Sequence, residues 1–346
     1  MKIAIVTDAW FPHVSGVATT IKATKDELEK MGHTVLVIGP ADFDFTVPLP
    51  SYAEIKLALF ADGKLARMLD GFRPDAIHVS VEGPLGMAAR GYCNKRKLPY
   101  TTAYHTMFPE YVNVRTGIPV SWIYVFARWF HSGAVRTMVA TPPLMETLTK
   151  RGFKNLAFWN RGVDTTIFNT EEPMQLPGTK PIFMYMGRVA VEKNIEAFLK
   201  LDLPGTKYIV GDGPARKALE SKYPEVKFTG YKFGRELARH VAAADVFVFP
   251  SLTDTLGLVM LEGNACGVPV AALPSEATNT VVKQGVNGVV SADLKQACMD
   301  ALKLDRAKVR EYALEFGWKK PTELFLSNLE AAPEGKMVAR ENPGAA

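Results

Sequence analysis

The chain has 346 residues, 47% of them hydrophobic and 22% charged, with 27 Gly and 23 Pro, the balance of a globular protein long enough for two domains. No run of about 18 uncharged apolar residues occurs, which excludes a membrane-spanning helix, and the scattered Cys93, Cys266 and Cys298 fit neither a disulfide framework nor a metal knuckle. The net charge of +5 is carried by residues 1–170, where 19 Lys and Arg face 14 Asp and Glu; residues 83–161 hold eleven basic residues and only Glu110 and Glu146 as acids. Such asymmetry points to an anionic surface, membrane or nucleic acid.

Met1–Val6 runs directly into an apolar strand with no cleavable signal pattern ahead of it, so a cytoplasmic setting is expected. The loop Asp8–Gly16 follows, and a helix is expected from about Val17 to Met31. Gly16 lets backbone approach a ligand, but without a full G-x-G-x-x-G pattern a dinucleotide site is disfavoured, and an ordinary tight turn fits as well. Thr34–Ile38 reads as the next strand. Asp42-Phe43-Asp44 has the form of a metal-holding D-x-D but no supporting context, and reads as solvated surface. A helix near Ala53–Gly71, a strand Ala76–Val79, a helix near Pro84–Lys95 and strands Tyr100–Tyr104 and Arg136–Ala140 continue the alternation. Strands and helices in this order predict a doubly wound parallel sheet.

His105, at the carboxyl end of its strand, is a candidate polar contact or proton handler, or a structural histidine. In 111–131, Tyr111, Arg115, Trp122, Phe126, Arg128 and Trp129 interleave aromatics with arginines. Trp122, Phe126, Trp129 and Phe130 fall on one helical face, which suits an interfacial helix on anionic lipid or a core helix. No nucleic-acid motif accompanies the charge.

Asn169–Pro181, with three prolines and no apolar periodicity, reads as a linker. The expected division is a first domain 1–170, linker 171–181, a second domain 182–317, a last helix near 318–330 and a disordered tail 331–346. Strands at Ile182–Met186, Tyr208–Val210, Val226–Phe228, Val246–Phe249, Pro269–Ala271 and Gly288–Val290 predict a second doubly wound sheet.

The second domain carries the chemistry. Gly187 and the cations Arg188 and Lys193 follow a strand at a helix start, a combination suited to a diphosphate or simply an exposed basic turn. Gly211-Asp-Gly213-Pro214 repeats the strand-to-turn form. After Val246–Phe249, Asp254-Thr255-Leu256-Gly257-Leu258 leads into an apolar helix holding Glu262. Eight residues of helical rise put Asp254 and Glu262 roughly 12 Å apart, room for a sugar at one end and a ribose at the other. A carboxylate on so apolar a helix is either paired structurally or held for a ligand.

Gly187-Arg188…Glu192-Lys193-Asn194, Gly211-Asp-Gly213-Pro214 and Asp254…Glu262, in that order, resemble retaining glycosyltransferases of family 4. The resemblance spans residues 1 to about 330. It implies the GT-B architecture, α/β with two Rossmann-like domains and a final helix crossing back to the first. It also implies that a nucleotide-sugar donor sits on the second domain, with Arg188 and Lys193 at its diphosphate and Glu262 at the ribose. Thr255 and Leu256 would offer N–H groups to phosphate, Gly187, Gly211, Gly257 and Leu258 would shape the turns, and Asp254 would meet the sugar hydroxyls. His105 would reach the sugar, and Gly16 would let the first loop close over the diphosphate. No metal or other cofactor is implied. Asp254 stands where the family usually has glutamate, which leaves the donor sugar open. Val81-Glu82-Gly83-Pro84-Leu85-Gly86 and Tyr104-His105-Thr106 look closest to a branch that modifies diacylglycerol and related lipids. The expected partners are therefore a UDP-sugar or GDP-mannose, a diacylglycerol-type acceptor and the inner face of the cell membrane.

Overall fold

Apolar runs of four or five residues bounded by turns can be buried on both faces only in a parallel sheet covered by helices. The computed structural model, which describes residues 1–12, 15–49 and 52–331, contains two such sheets. In the first, β1 (Lys2–Val6), β2 (Thr34–Ile38), β5 (Ala76–Val79), β6 (Thr101–Tyr104), β7 (Arg136–Val139) and β8 (Leu156–Phe158) lie in the order β2-β1-β5-β6-β7-β8, all parallel. In the second, β9 (Ile182–Met186), β10 (Thr206–Val210), β11 (Lys227–Gly230), β12 (Val246–Phe249), β13 (Val270–Ala272) and β14 (Gly288–Val290) follow the matching order β11-β10-β9-β12-β13-β14. Each sheet reverses its winding beside its first strand, which opens a crevice at the carboxyl ends.

One expectation fails between them. Part of the helix expected over Ala53–Gly71 is instead an antiparallel hairpin, β3 (Thr46–Leu49) with β4 (Tyr52–Ala58), and the helix occupies Asp62–Phe72. Alternation in Tyr-Ala-Glu-Ile-Lys-Leu-Ala serves a strand as readily as a helix, and the neighbouring strand decides it. Asp42 and Asp44 sit just before the hairpin. Asp42 accepts from the Gly39 N–H at 2.9 Å, and the exposed Asp44 pairs with Lys64 at 3.1 Å.

The chain divides into two units. The first comprises Met1–His105, Thr116–Asn160 and the chain from Lys320; the second comprises Thr106–Arg115 and Arg161–Lys319. The chain thus changes unit ahead of the Pro-rich segment 171–181. The expected tail, beyond Ala331, lies outside the described residues. The last helix, Lys319–Asn328, packs in the first unit: Phe325 is fully buried beside Trp159 and His78, and Arg136 donates to the Asn328 carbonyl at 3.0 Å. A core of Ile3, Ile5, Ile21, Leu28, Met138 and Trp159 surrounds Phe325. The second unit has its own core around Phe183, Tyr185, Phe198 and Ile209.

Candidate active site

In the second sheet β9 and β12 are neighbours, so the loops leaving their carboxyl ends lie side by side. The loop after β9 carries Gly187, Arg188 and Lys193; the turn after β12 carries Ser251 to Gly257. Three contacts lace them together. Asn194 donates to the Pro250 carbonyl at 3.1 Å, Thr253 Oγ1 donates to the Glu192 carbonyl at 3.1 Å, and Lys193 Nζ meets Asp254 Oδ1 at 2.6 Å. Asn194 sits at φ +51°, a left-handed conformation that asparagine tolerates better than most residues. Tyr185, from inside β9, donates to the Arg188 carbonyl at 3.0 Å and fixes the start of the loop.

Lys193 and Asp254 are each only 18% exposed at the side chain. Burial alone would lower the lysine pKa; the Asp254 carboxylate, with Tyr111 and Tyr185 nearby, outweighs burial and raises it, so Lys193 stays charged. Asp254 Oδ2 is buried and accepts no hydrogen bond among the described residues. A buried carboxylate oxygen without a donor is costly unless a ligand hydroxyl supplies one.

Gly257, at φ +73°, lets the turn enter the helix Leu258–Ala265; a Cβ there would fall 2.8 Å from the Phe249 ring. Met260, Leu261, Gly263, Asn264 and Ala265 are buried, while Leu258, Val259 and Glu262 are only partly so. Offsets of one and four residues put those three on one side of the helix. Glu262 therefore lies on the less buried side of the helix rather than in the core. Among the described residues no hydrogen bond or ion pair reaches its carboxylate, and burial pushes its pKa up to about 7. The structural ion pair that the sequence left open for Glu262 is absent among the described residues. Asn264 and Asn287 anchor the far end of this helix: Asn287 Nδ2 donates to Asn264 Oδ1 at 2.8 Å, and Asn264 Nδ2 donates to the Val268 and Asn287 carbonyls.

Gly211 lies under the same loops. A Cβ there would come 1.9 Å from the Gly187 carbonyl oxygen, so the close approach of the two turns requires glycine. Thr255 is partly buried and Leu256 buried at the tip of the turn. The arrangement thus offers two cations, approachable backbone, and two carboxylate sites, features that suit a diphosphate flanked by hydroxyl-rich groups.

In the first unit, Gly16 opens the helix Gly16–Lys30, whose N-cap Ser15 accepts from the Ala18 N–H at 3.2 Å. His105, directly after β6, packs edge-on against Trp159 with ring centroids 5.7 Å apart. A buried polar group that no sequence motif marks lies at the carboxyl ends of β1 and β5 in the same sheet. There the Asp8 carboxylate accepts from the N–H groups of Leu85 (3.0 Å) and Gly86 (3.2 Å), the start of the helix Pro84–Arg96, and burial pushes its pKa up to about 6. Next to it Glu82 meets His131 Nε2 at 3.0 Å, and His131 Nδ1 meets Thr102 Oγ1 at 2.8 Å.

The aromatic face separates in the structure. On the helix Val120–Ser132, Trp122 (71%), Val125 (56%) and Trp129 (45%) are exposed, Phe126 is half-buried, and Phe130 is fully buried in the core. Arg90 stacks on the Trp129 ring at 4.0 Å, and Arg128, exposed, donates to the Arg151 carbonyl. Tyr111 leaves this group altogether. It lies on the helix Phe108–Thr116, in the second unit, and donates to the Thr253 carbonyl at 3.3 Å. Arg115 is on the same helix; its side chain lies outside the described part of the structure.

Residues 14–167 match the family described as Glycosyltransferase Family 4, and residues 180–304 match Glycosyl transferases group 1. A GDP-mannose-dependent alpha-mannosyltransferase of Mycobacterium tuberculosis is 31% identical over 79% of this chain and 79% of its own. The sulfoquinovosyl transferase SQD2 of Arabidopsis thaliana is 30% identical over 80% of this chain and 60% of its own, and an alpha-monoglucosyldiacylglycerol synthase of Streptococcus pneumoniae is 26% identical over 87% and 78%. Among solved structures, a sucrose-phosphate synthase from Thermosynechococcus elongatus superimposes with a TM-score of 0.73 at 18% identity, covering 94% of this chain and 98% of that one, a likeness of fold. The chain belongs to glycosyltransferase family 4 and is a hexosyltransferase of GT-B fold.

Proposed function

We propose that this chain is a metal-independent, retaining glycosyltransferase, peripheral to the inner face of the cell membrane. It moves a hexose or hexuronic acid from a UDP-sugar to a diacylglycerol-type lipid. The donor lies on the second unit with its ribose hydroxyls donating to Glu262, its diphosphate between Arg188, Lys193 and the N–H groups of Thr255 and Leu256, and its sugar hydroxyls at Asp254 Oδ2. In the transfer the sugar C1–O bond to phosphate breaks and the acceptor oxygen bonds C1 on the same face. The acceptor proton passes to the departing phosphate oxygen, whose charge Arg188 and Lys193 offset.

The observation that carries the lipid acceptor is the exposed Trp122, Val125 and Trp129 stripe flanked by Arg90 and Arg128, an interfacial pattern on a protein with no helix long and apolar enough to cross a membrane among the described residues. One relative supports it by name, the alpha-monoglucosyldiacylglycerol synthase. The identity to the GDP-mannose-dependent enzyme favours a second reading, in which the donor is GDP-mannose. Radiolabelled UDP- and GDP-sugars supplied with diacylglycerol in anionic vesicles, read by thin-layer chromatography, test both. A labelled glycolipid from a UDP-sugar is expected; product from GDP-mannose alone moves the assignment to the second reading, and transfer only to water-soluble acceptors overturns the lipid assignment.

A further inference from the structure

Tyr111 belongs by sequence to the basic, aromatic stretch of the first half of the chain, yet the structure seats it on the turn that follows β12. Its hydroxyl donates to the Thr253 carbonyl at 3.3 Å, and the Lys193 ammonium lies 5.9 Å from the centre of its ring. Tyr185 is near enough to act on the same ammonium electrostatically, and it holds the Arg188 carbonyl. Lys193 is thus held by the Asp254 carboxylate and faced by the Tyr111 ring, although its four-carbon stem would otherwise leave it free to wander.

Both contacts act on groups that a diphosphate needs. The Thr253 carbonyl and the Asp254 N–H share one peptide plane and point in opposite directions. A tyrosine that fixes the carbonyl therefore fixes the N–H, and with it the side-chain direction of Asp254. The ring, for its part, offers its negative face to the ammonium without supplying a second anion to compete with phosphate. The helix bearing Tyr111 begins two residues after Thr106, and Thr106 directly follows His105.

We propose that Tyr111 is a positioning residue of the donor site, holding Lys193 and the Thr253–Asp254 peptide in the arrangement that receives the diphosphate. The proposal rests on the reading of this site as the nucleotide-sugar site. The ordering of Lys193 is completed when the protein folds, so binding costs less.

A double-mutant cycle tests it, with isothermal titration of UDP and of GDP into wild type, Y111A, Y111F, K193M and Y111A/K193M. The wild type comes first: binding of neither nucleotide overturns the donor-site reading and this proposal with it. Where the wild type binds, Y111A is expected to weaken affinity by about five- to tenfold. Y111F, which keeps the ring and the volume, is expected to recover most of that loss. In the K193M background Y111A should cost clearly less than in the wild type, because one of the two groups it positions, the Lys193 ammonium, is gone. An equal loss with and without Lys193, or no loss in Y111A while the wild type binds, overturns the positioning role and leaves the donor site standing. Packing of the helix alone predicts the first of those results, so a merely structural tyrosine is distinguished from a positioning one.

Discussion

Lys193 Nζ lies 2.6 Å from Asp254 Oδ1, a bond between residues 61 positions apart that joins the two loops of the donor site. The cation proposed for the diphosphate is thus held by the carboxylate proposed for the sugar. A bare nucleoside diphosphate must share Lys193 with Asp254, whose charge repels its own, with nothing to offer that carboxylate in return. A nucleotide sugar offers it hydroxyls. The variant D254N should therefore bind free UDP or GDP several-fold more tightly than wild type, while sugar transfer falls by about two orders of magnitude. Titration of the free nucleotide and initial rates with the nucleotide sugar measure the two arms. Weaker nucleotide binding in D254N would show that the pair does not compete with the ligand.

Glu262 gives a pH-dependent stability. Burial raises its carboxyl to about 7, above the 4.5 of an exposed glutamate. Between those pH values the folded protein holds a proton there that the unfolded chain has released, so stability from this group falls as pH rises through that window. The penalty is complete above pH 7 and absent below about pH 4.5. E262Q removes it. Thermal unfolding should show E262Q more stable than wild type at pH 8, the gap closing as pH is lowered towards 5. A gap that is constant with pH would mean that Glu262 is not desolvated.

In the proposed role this carboxylate accepts two ribose hydroxyls, which favours its ionised form, so nucleotide binding should release protons near neutral pH. Titrations at pH 7 in two buffers of different ionisation enthalpy should give different apparent enthalpies for wild type and equal ones for E262Q. E262A should abolish transfer and weaken nucleotide binding. Buffer-independent enthalpy in the wild type would rule out ionisation of Glu262 on binding.

Much of the fold is written locally in the chain. Runs such as Val246–Phe249 are apolar at every position and end on turn residues, and each is a fully buried parallel strand. The hairpin Thr46–Ala58 escaped because its alternation is also compatible with a helix. Lys193, Asp254 and Glu262 were visible as types at a spacing. That Lys193 and Asp254 hold each other depends on β9 and β12 being neighbours, which no local pattern encodes. Tyr111 was grouped wrongly for the same reason: its segment resembles the helix Val120–Ser132 in composition, and its long-range contact with Thr253 separates them. On the helix Val120–Ser132 the predicted face was broader than the exposed one. Phe130 is turned about 80° from Trp122, enough to carry it into the core.

Gly211 supplies a test of the loop geometry. G211A would drive a methyl into the Gly187 carbonyl at 1.9 Å and force a side chain onto φ +147°. Urea unfolding should show a loss of roughly 2–4 kcal/mol, with weaker nucleotide binding because the Gly187–Arg188 loop must shift. Gly91, exposed inside the helix Pro84–Arg96 with nothing within 4 Å of its missing Cβ, is the counterpart. G91A should stabilise by about 0.5–1 kcal/mol. Equal effects at the two sites would remove the case for a steric requirement at Gly211.

The exposed stripe makes the last prediction. Trp122, Val125 and Trp129 stand on one side of their helix, and Arg90 holds the Trp129 ring from beneath while leaving Trp129 45% exposed. Indole rings so placed have an apolar body for the acyl boundary and an N–H for the headgroups. The double variant W122A/W129A should weaken binding to vesicles containing anionic lipid by about tenfold or more. R128E should weaken it by a further several-fold, and that part should vanish at high salt, since attraction to the surface potential is screened. Neither change touches the donor loops, so nucleotide affinity should stay at the wild-type value. Sedimentation with sucrose-loaded vesicles at two salt concentrations, beside a nucleotide titration, reads all three quantities. Unchanged sedimentation in W122A/W129A would move the acceptor off the membrane surface and into solution.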